Sequence, residues 1–589
     1  MNNFQHNAAP ESYAIKKWRL LFMSLMMMAI TVLLMWRAVD LNVFNKDFLQ
    51  QQGDARYLRV VPVPAHRGMI TDRYGEPLAI STPVASVWAN PKELRQHPEQ
   101  WQALANILQI DVKEVADQMK ERGDKEFVYL KRQVNPDVVK RLKALNIPGV
   151  DFQGEYRRYY PAAEVTSHLL GFTNIDDQGQ EGLELAYDDI LKGTPGANRV
   201  IKDRLGRVVE TVERVSEPRP GQDVILSIDR RIQYLAYREL KAAVVKHQAK
   251  SGSAVVMDAK TGEILAMVNQ PAFNPNNRKE LQGGDNLRNR ALTDVFEPGS
   301  TIKPFTIAAV LEDGHYTPDS MIDTAPGMLR LGGRLIRDTH NYGIIDVSTI
   351  IQKSSNVGAS KLALSMEPRK LWNVLAGVGF GFNTGSGFPG ESPGSLSDYS
   401  GWRPIETASM SFGYGLSVTA VQLARAYAVF ANDGFLPSVS LLRTVHSVQK
   451  TAQTYQRIFS ARTARQVRAM MELVVHSGGT GTLARVPGYR IAGKTGTVRK
   501  IGPDGYEDGA YLSVFAGMAP ASNPRLIMVV MIDDPQGKQY YGGLVAAPVF
   551  SKVMADALRI LDIPPDDLPA ADEPRLAMSQ YGSGQTTQQ

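Results

Sequence analysis

Three short stretches carry side chains whose types and spacing suit nucleophilic acyl transfer. "FEPGSTIKPF" (296–305) sets Ser300 and Lys303 three residues apart, on one face if the segment is helical. Pro298 and Gly299 before the serine, and Pro304 after the lysine, place the hydroxyl at a helix start. Unpaired N–H groups and the positive end of the helix dipole there favour a developing oxyanion. A serine needs an adjacent base, and a lysine desolvated beside another cation is neutral enough to serve. "SSN" (354–356) adds a hydroxyl at Ser354 and an amide at Asn356, either able to orient Lys303 or hold a substrate amide. "KTGT" (494–497) ends a strand pattern. It supplies a second cation, Lys494, and hydroxyls at Thr495 and Thr497 for a carboxylate. Gly496 allows close backbone approach to a ligand, and the Thr497 N–H is a candidate second oxyanion donor.

None of these is specific alone, since S-x-x-K recurs as "SVQK" (447–450). Two other matches are set aside. "GESPG" (390–394) has the spacing of a hydrolase nucleophile elbow, but Pro393 after Ser392 has no N–H to give. Lys260-Thr261-Gly262 in "AKTGE" reads as a turn between two strands.

The elements that must position these residues begin near residue 221. "DVILSI" (223–228) reads as a strand, and Asp229 as the cap of a helix over the next eighteen residues. Residues 252–270 read as two strands around a turn, and 489–497, 510–520 and 525–534 as three more. Between 300 and 480 the pattern is mainly helical, clearest at 419–433, and 551–562 reads as a final helix. Strands that bracket a helical middle imply one antiparallel sheet flanked by helices, an α+β domain. Residues 92–145 carry helical patterns, and "EGLELAYDDILKG" (181–193) reads as one short helix ended by Gly193. Nothing in 40–220 assembles a nucleophile, base and orienter, so that region reads as a spacer or docking module.

At 589 residues the chain needs more than one domain. Net charge is +6, without a Lys/Arg block that argues for nucleic acid. The absence of cysteine excludes disulfides and thiolate chemistry, and nine histidines without metal-ligand spacing give a metal or cofactor no support. Leu20 to Trp36 is an uncharged apolar run preceded by Lys16, Lys17 and Arg19. It spans roughly 26 Å. The positive-inside rule makes it an uncleaved anchor over 18–39, with residues 1–17 in the cytoplasm and the remainder outside. A cleavable signal peptide is the rival reading, but "MWRAVDLN" offers no small-x-small site. The Pro-, Asp- and Gln-rich tail from Pro564 reads as disordered or removed.

Taken in order, Ser300-x-x-Lys303, Ser354-x-Asn356 and Lys494-Thr495-Gly496 resemble the three motifs of the penicillin-recognising serine transferases. "RGMITDRYGEPLA" (67–79), "LSIDRRIQ", "VVMDAKTGEILAM", "GFPGE" and "SFGYGLSVTAVQLARAYAVFAN" are similar to class B penicillin-binding proteins. The anchor, "FLQQQGDAR" (48–56) and "YYPAAEVTSHLLGFTN" (159–174) resemble the division-specific septal members.

The resemblance implies a beta-lactamase-like transpeptidase domain over 221–563. Before it would stand an elongated mixed α/β pedestal of dimerisation type over 40–220. It implies attack by Ser300 on the D-alanyl-D-alanine amide of a peptidoglycan stem peptide, with Lys303 as base and Ser354 and Asn356 as proton relay and orienters. Lys494, Thr495 and Thr497 would hold the substrate carboxylate, or that of an inhibiting beta-lactam. Tyr414, Tyr540 and Tyr541 would wall the cleft. Glycan strands would come from a septal glycosyltransferase of the FtsW type, among other divisome proteins, at the inner membrane with the catalytic domain in the periplasm. Three alternatives share the fold: a beta-lactamase using Glu391 to deacylate, a D,D-carboxypeptidase, or a penicillin-sensing receptor.

Overall fold

The computed structural model describes residues 17–47, 58–202, 208–444, 456–502 and 505–568. The cytoplasmic tail before residue 17, "FLQQQGDAR", "SVQK" and the tail beyond Leu568 lie outside the described residues. The chain forms two compact units: residues 1–65, 84–155 and 194–219, and residues 66–83, 156–193 and 220–589.

In the first unit an apolar helix, Lys17–Val39, continues through a wider turn at Asp40–Phe44. It is long and apolar enough to cross a membrane, and none of its residues is buried in protein. Leu58–Val63, Gly196–Lys202 and Val208–Ser216 form a three-stranded antiparallel sheet. The expected helical stretch resolves into Pro91–Leu94, Trp101–Leu108, Val112–Glu121 and Pro136–Leu145. A strand not anticipated from the sequence, Val128–Val134, pairs with the end of Pro77–Ala89. Leu104, Leu108, Val115, Met119 and Leu142 are the centre of this unit's core.

The second unit is built on a sheet of β1 (Ser251–Asp258), β2 (Ile264–Gln270), β3 (Ala492–Gly502), β4 (Gly505–Ala519) and β5 (Leu526–Asp533). Its order is β2-β1-β5-β4-β3, antiparallel throughout, which leaves β3 on the edge. Side chains of a strand alternate between faces, and here both faces are covered. Ile527, Val529 and Met531 of β5 join one core with Phe305 and Phe430, while Leu526, Met528, Val530 and Ile532 join another with Leu240 and Phe550. That double burial is why "RLIMVVMIDD" reads as an unbroken apolar run.

Around the sheet pack α1 (Arg230–Lys246), α2 (Lys303–Asp313), α3 (Val347–Lys353), α4 (Asn356–Leu364), α5 (Ala420–Ala431), α6 (Ala461–Val475) and α7 (Ala547–Ile560). Asp229 caps α1 by accepting from Arg231 N, as expected. Thr419 and Gln422 exchange side-chain and backbone bonds at the start of α5.

Some details differ from the sequence reading. "DVILSI" is strand only at Val224–Ile225. The helix expected over 181–193 is two, Gly182–Ala186 and Asp188–Leu191. Four short strands between Met321 and Asp346 interrupt the helical middle. Residues 66–83 and 156–193, expected in the N-terminal module, belong to the compact unit of residues 220–589. The buried Glu184 carboxylate accepts from Arg67 Nε at 2.9 Å and Arg158 Nε at 2.6 Å. Met69 N donates to Asp223 at 2.7 Å and Arg73 N to the Ile228 carbonyl at 2.9 Å. These partners lie too far apart in sequence for any local pattern to pair them.

Candidate active site

Ser300 stands on a single 3-10 turn, Gly299–Ile302, and the α-helix proper begins at Lys303. The sequence reading set the helix start at Ser300; the tighter turn precedes it. Thr301 supports this turn by donating its hydroxyl to the Pro298 carbonyl at 2.7 Å, and the Tyr427 hydroxyl donates to the Thr301 carbonyl at 2.8 Å. Gly299, at φ +54°, donates its N–H to Gly413 O at 3.0 Å. A Cβ on Gly413 would lie 2.0 Å from Gly299 O, so these two backbones touch because both residues are glycine.

The Ser354–Asn356 turn joins α3 to α4. Ser354 ends α3 in the left-handed conformation, φ +61°. The Ser355 hydroxyl caps α4, accepting from Gly358 N at 2.9 Å. One left-handed residue thus turns Ser354 and Asn356 toward the same point, with Ser355 facing away, as its neighbour spacing suggested.

That point is Lys303, whose side chain is fully buried. Its Nζ lies 3.0 Å from Ser300 Oγ, 2.5 Å from the Ser354 carbonyl, 3.1 Å from Ser354 Oγ and 2.7 Å from Asn356 Oδ1. The Asn356 amide is oriented by its own donation to Arg337 O at 3.0 Å. Burial, then the Lys494 charge, hold the Lys303 ammonium well below its usual range, against an opposing pull from Asp338. In the neutral amine two hydrogens and one lone pair must be placed. The two carbonyl oxygens can only accept, so they take the hydrogens. The lone pair is left facing the hydroxyls of Ser300 and Ser354, which is the arrangement a base requires.

Lys494, on edge strand β3, is also fully buried. It donates to Ser354 Oγ at 2.9 Å and to Thr495 O at 3.1 Å, and burial pushes its ammonium down to about 7. Thr495 Oγ1 is 2.7 Å from Thr480 Oγ1, and Thr497 Oγ1 accepts from Gly542 N at 3.0 Å. A Cβ on Gly496 would lie 3.1 Å from Pro298 O and from Thr301 Cγ2, so the glycine lets β3 lie against the turn that holds Ser300. Tyr540 stacks between Tyr511 at 4.1 Å and Tyr541 at 4.6 Å. Tyr414 packs edge-on against Tyr506 at 5.8 Å.

Three contributors were not anticipated from the sequence. Asp338 accepts the Ser355 hydroxyl at 2.5 Å, the Asn356 N–H, and the Val357 N–H at 3.0 Å; it fixes the turn from outside the motif. Thr480 touches Thr495 as above. Glu297 accepts from Gly415 N at 2.8 Å and the Tyr506 hydroxyl at 3.0 Å, and burial raises its carboxyl. Only the position of Glu297 beside the S-x-x-K stretch could have marked it.

The discounted matches stay apart from this centre. Ser392 donates its N–H to Leu292 O and its Oγ accepts from Gly394 N within a loop. Asp258 accepts from Lys260 N and Thr261 N, closing the turn between β1 and β2. Glu391 is held by its own loop, accepting from Thr384 N at 2.6 Å and from Ser386 Oγ at 2.8 Å.

A serine on a 3-10 turn, a buried lysine one turn on, and a second buried lysine on the sheet edge define a serine acyltransferase site of the penicillin-recognising kind. The comparisons agree with this. The penicillin-binding protein transpeptidase domain matches residues 252–555, and the penicillin-binding protein dimerisation domain matches residues 62–226. The chain is 43% identical to the peptidoglycan D,D-transpeptidase FtsI of Escherichia coli (strain K12) over 96% of its own length and 95% of that protein. It is 45% identical to PbpC of Pseudomonas aeruginosa, a probable peptidoglycan D,D-transpeptidase, over 92% and 95%. The crystal structure of a peptidoglycan synthetase from Bifidobacterium adolescentis superposes with a TM-score of 0.68 at 26% identity, covering 87% of this chain and 98% of that one. The chain belongs to the penicillin-binding protein family, as a class B member carrying both the dimerisation and the transpeptidase domain.

Proposed function

We propose that this chain is a peptidoglycan D,D-transpeptidase that cross-links stem peptides during septal wall synthesis and is inactivated by beta-lactams. The observation that carries the mechanism is the neighbourhood of Lys303 Nζ, with two carbonyls occupying its hydrogens and Ser300 Oγ at 3.0 Å. Ser300 attacks the carbonyl of the D-alanyl-D-alanine amide as its proton passes to Lys303. The oxyanion forms between the N–H groups of Ser300 and Thr497. Terminal D-alanine departs as its nitrogen takes a proton through the Ser354 hydroxyl. An amine of a second stem then attacks the acyl-enzyme carbonyl; Lys303 takes that amine's proton and returns it to Ser300 Oγ as the acyl–oxygen bond breaks and the cross-link forms. Lys494, Thr495 and Thr497 hold the terminal carboxylate, with Asn356 on the stem backbone and Tyr414, Tyr540 and Tyr541 on its apolar parts.

The helix Lys17–Val39 is the membrane anchor in this reading, with the catalytic domain in the periplasm at the division septum and a pedestal formed within residues 40–220. Glycan strands come from a glycosyltransferase of the FtsW type, because residues 40–220 offer no acid pair suited to glycan polymerisation. The beta-lactamase reading loses support because Glu391 is engaged by Thr384 and Ser386.

The test is incubation of the full chain with a stem pentapeptide donor and an amine acceptor. Release of D-alanine matched by a cross-linked product supports the proposal. D-alanine release without cross-link would make it a carboxypeptidase, and steady turnover of penicillin a beta-lactamase.

A further inference from the structure

A cavity of about 570 Å³ in the second unit is lined by Lys260, Asp433, Arg465, Arg468, Ser522 and Asn523 among others. None of these belongs to the serine–lysine centre. Lys260 comes from the β1–β2 turn, Asp433 follows α5, and both arginines are on α6.

The cations outnumber what the local acids neutralise. Asp433 is taken by Arg465, whose Nε and Nη2 reach its two oxygens at 3.2 and 2.7 Å. Arg468 is only 13% exposed, stands 3.9 Å from Asp433, and gives its hydrogen bond to the Phe430 carbonyl at 3.0 Å. Lys260 Nζ donates to the Ala431 carbonyl at 3.1 Å. Arg525, exposed on the neighbouring loop, makes no ion pair among the described residues and adds its charge to Lys260. Lys260 thus feels Arg468 and Arg525 against Asp433 and Asp258, with Glu472 already paired to Arg490. Burial lowers both the Lys260 ammonium and the Arg468 guanidinium, opposed by the attraction of Asp433 and assisted by like charge from neighbouring arginines.

Capping the C-terminal carbonyls of α5 explains one hydrogen bond from each of Lys260 and Arg468. It explains neither the open cavity nor the charge of Arg525, which stands without an ion pair among the described residues while Arg465 is paired with Asp433. We propose that this cavity binds an oxyanion, a phosphate or carboxylate group, between Lys260 and Arg468, with Ser522 and Asn523 as neutral partners and the charge of Arg525 beside Lys260 adding to the field. Guanidinium forks match such groups in a bidentate manner. The enzyme then has an anchoring point for an anionic ligand that is separate from its acylation centre.

The experiment is calorimetric titration of the full chain in detergent with inorganic pyrophosphate and, separately, with citrate. Saturable binding is expected, weakened about tenfold or more by Arg468→Gln and by Arg525→Gln, and unchanged by prior acylation with penicillin. Lys246→Gln removes an exposed charge on α1 and should leave affinity intact. Binding of pyrophosphate alone identifies a phosphate site, and binding of both a general oxyanion site. If Arg468→Gln fails to fold, the exposed Arg525→Gln decides. No saturable binding of either probe, or equal weakening by Lys246→Gln, overturns the proposal.

Discussion

Lys303 and Lys494 share one hydroxyl: Ser354 Oγ lies 3.1 Å from the first ammonium nitrogen and 2.9 Å from the second. Two fully buried lysines this close cannot both be charged cheaply. Burial acts on both, and the Lys494 charge further disfavours protonation of Lys303. The proposed mechanism divides the roles accordingly, with the base at Lys303 and the cation at Lys494. Among the described residues, Ser354 is the side-chain link between them.

Removing the base should be severe. Lys303→Ala is expected to slow acylation by penicillin about 10²–10⁴-fold. Stopped-flow acylation measures this, with thermal unfolding as the control for the cavity left in the core. Acylation at the normal rate would remove Lys303 from the mechanism.

The pH profile should report Lys494. Its ammonium, at about 7, is charged below that pH and neutral above it. Lys303 is held well below its usual range by burial and then by the Lys494 charge. The second-order rate of acylation should thus decline above about pH 7 with a one-proton slope, as carboxylate holding weakens. Lys494→Arg should keep a low residual rate and lose that decline, because a guanidinium stays charged.

Asp338→Asn tests the outer support of the turn. The amide cannot accept from Asn356 N, Val357 N and the Ser355 hydroxyl with the same strength, since bonds to a charged acceptor contribute about 1.5–3 kcal/mol. Acylation should fall about tenfold or more, and its pH dependence should shift because a negative charge near Lys303 is gone. A change in stability alone, with an unaltered pH profile, would make Asp338 purely structural.

Gly413→Ala is expected to cost about 1–3 kcal/mol, because φ is +86° and the new methyl meets Gly299 O. The turn carrying Ser300 must move to accommodate it, so acylation should fall together with the unfolding temperature. An active variant of normal stability would show that the contact is not needed.

The sheet, its flanking helices and the serine–lysine centre were legible because each leaves a local mark. Both-face burial writes apolar runs at β1, β5 and the second half of β4. Asp229 and Thr419 stand one residue before their helices, and the three motifs keep short spacings within themselves. Asp338 and Thr480 were not legible because their partners are fixed by tertiary turns. An acid in "RDTH" or a threonine in "SGGTG" carries no pattern that a helix or strand period would betray. The Arg67–Glu184–Arg158 network failed for the same reason at larger range. Its members are ordinary charged residues in sequence, and only the fold buries them together. The four short strands between Met321 and Asp346 lacked the length that makes alternation visible.

The most direct measurement is the site of covalent attachment by a penicillin. The full chain should be labelled with a fluorescent penicillin, digested, and the modified peptide sequenced by mass spectrometry. The expected result is one penicilloyl group on Ser300, absent from Ser300→Ala and slow to hydrolyse. Label on another residue, or undiminished label in Ser300→Ala, would contradict the assignment of Ser300 as the nucleophile.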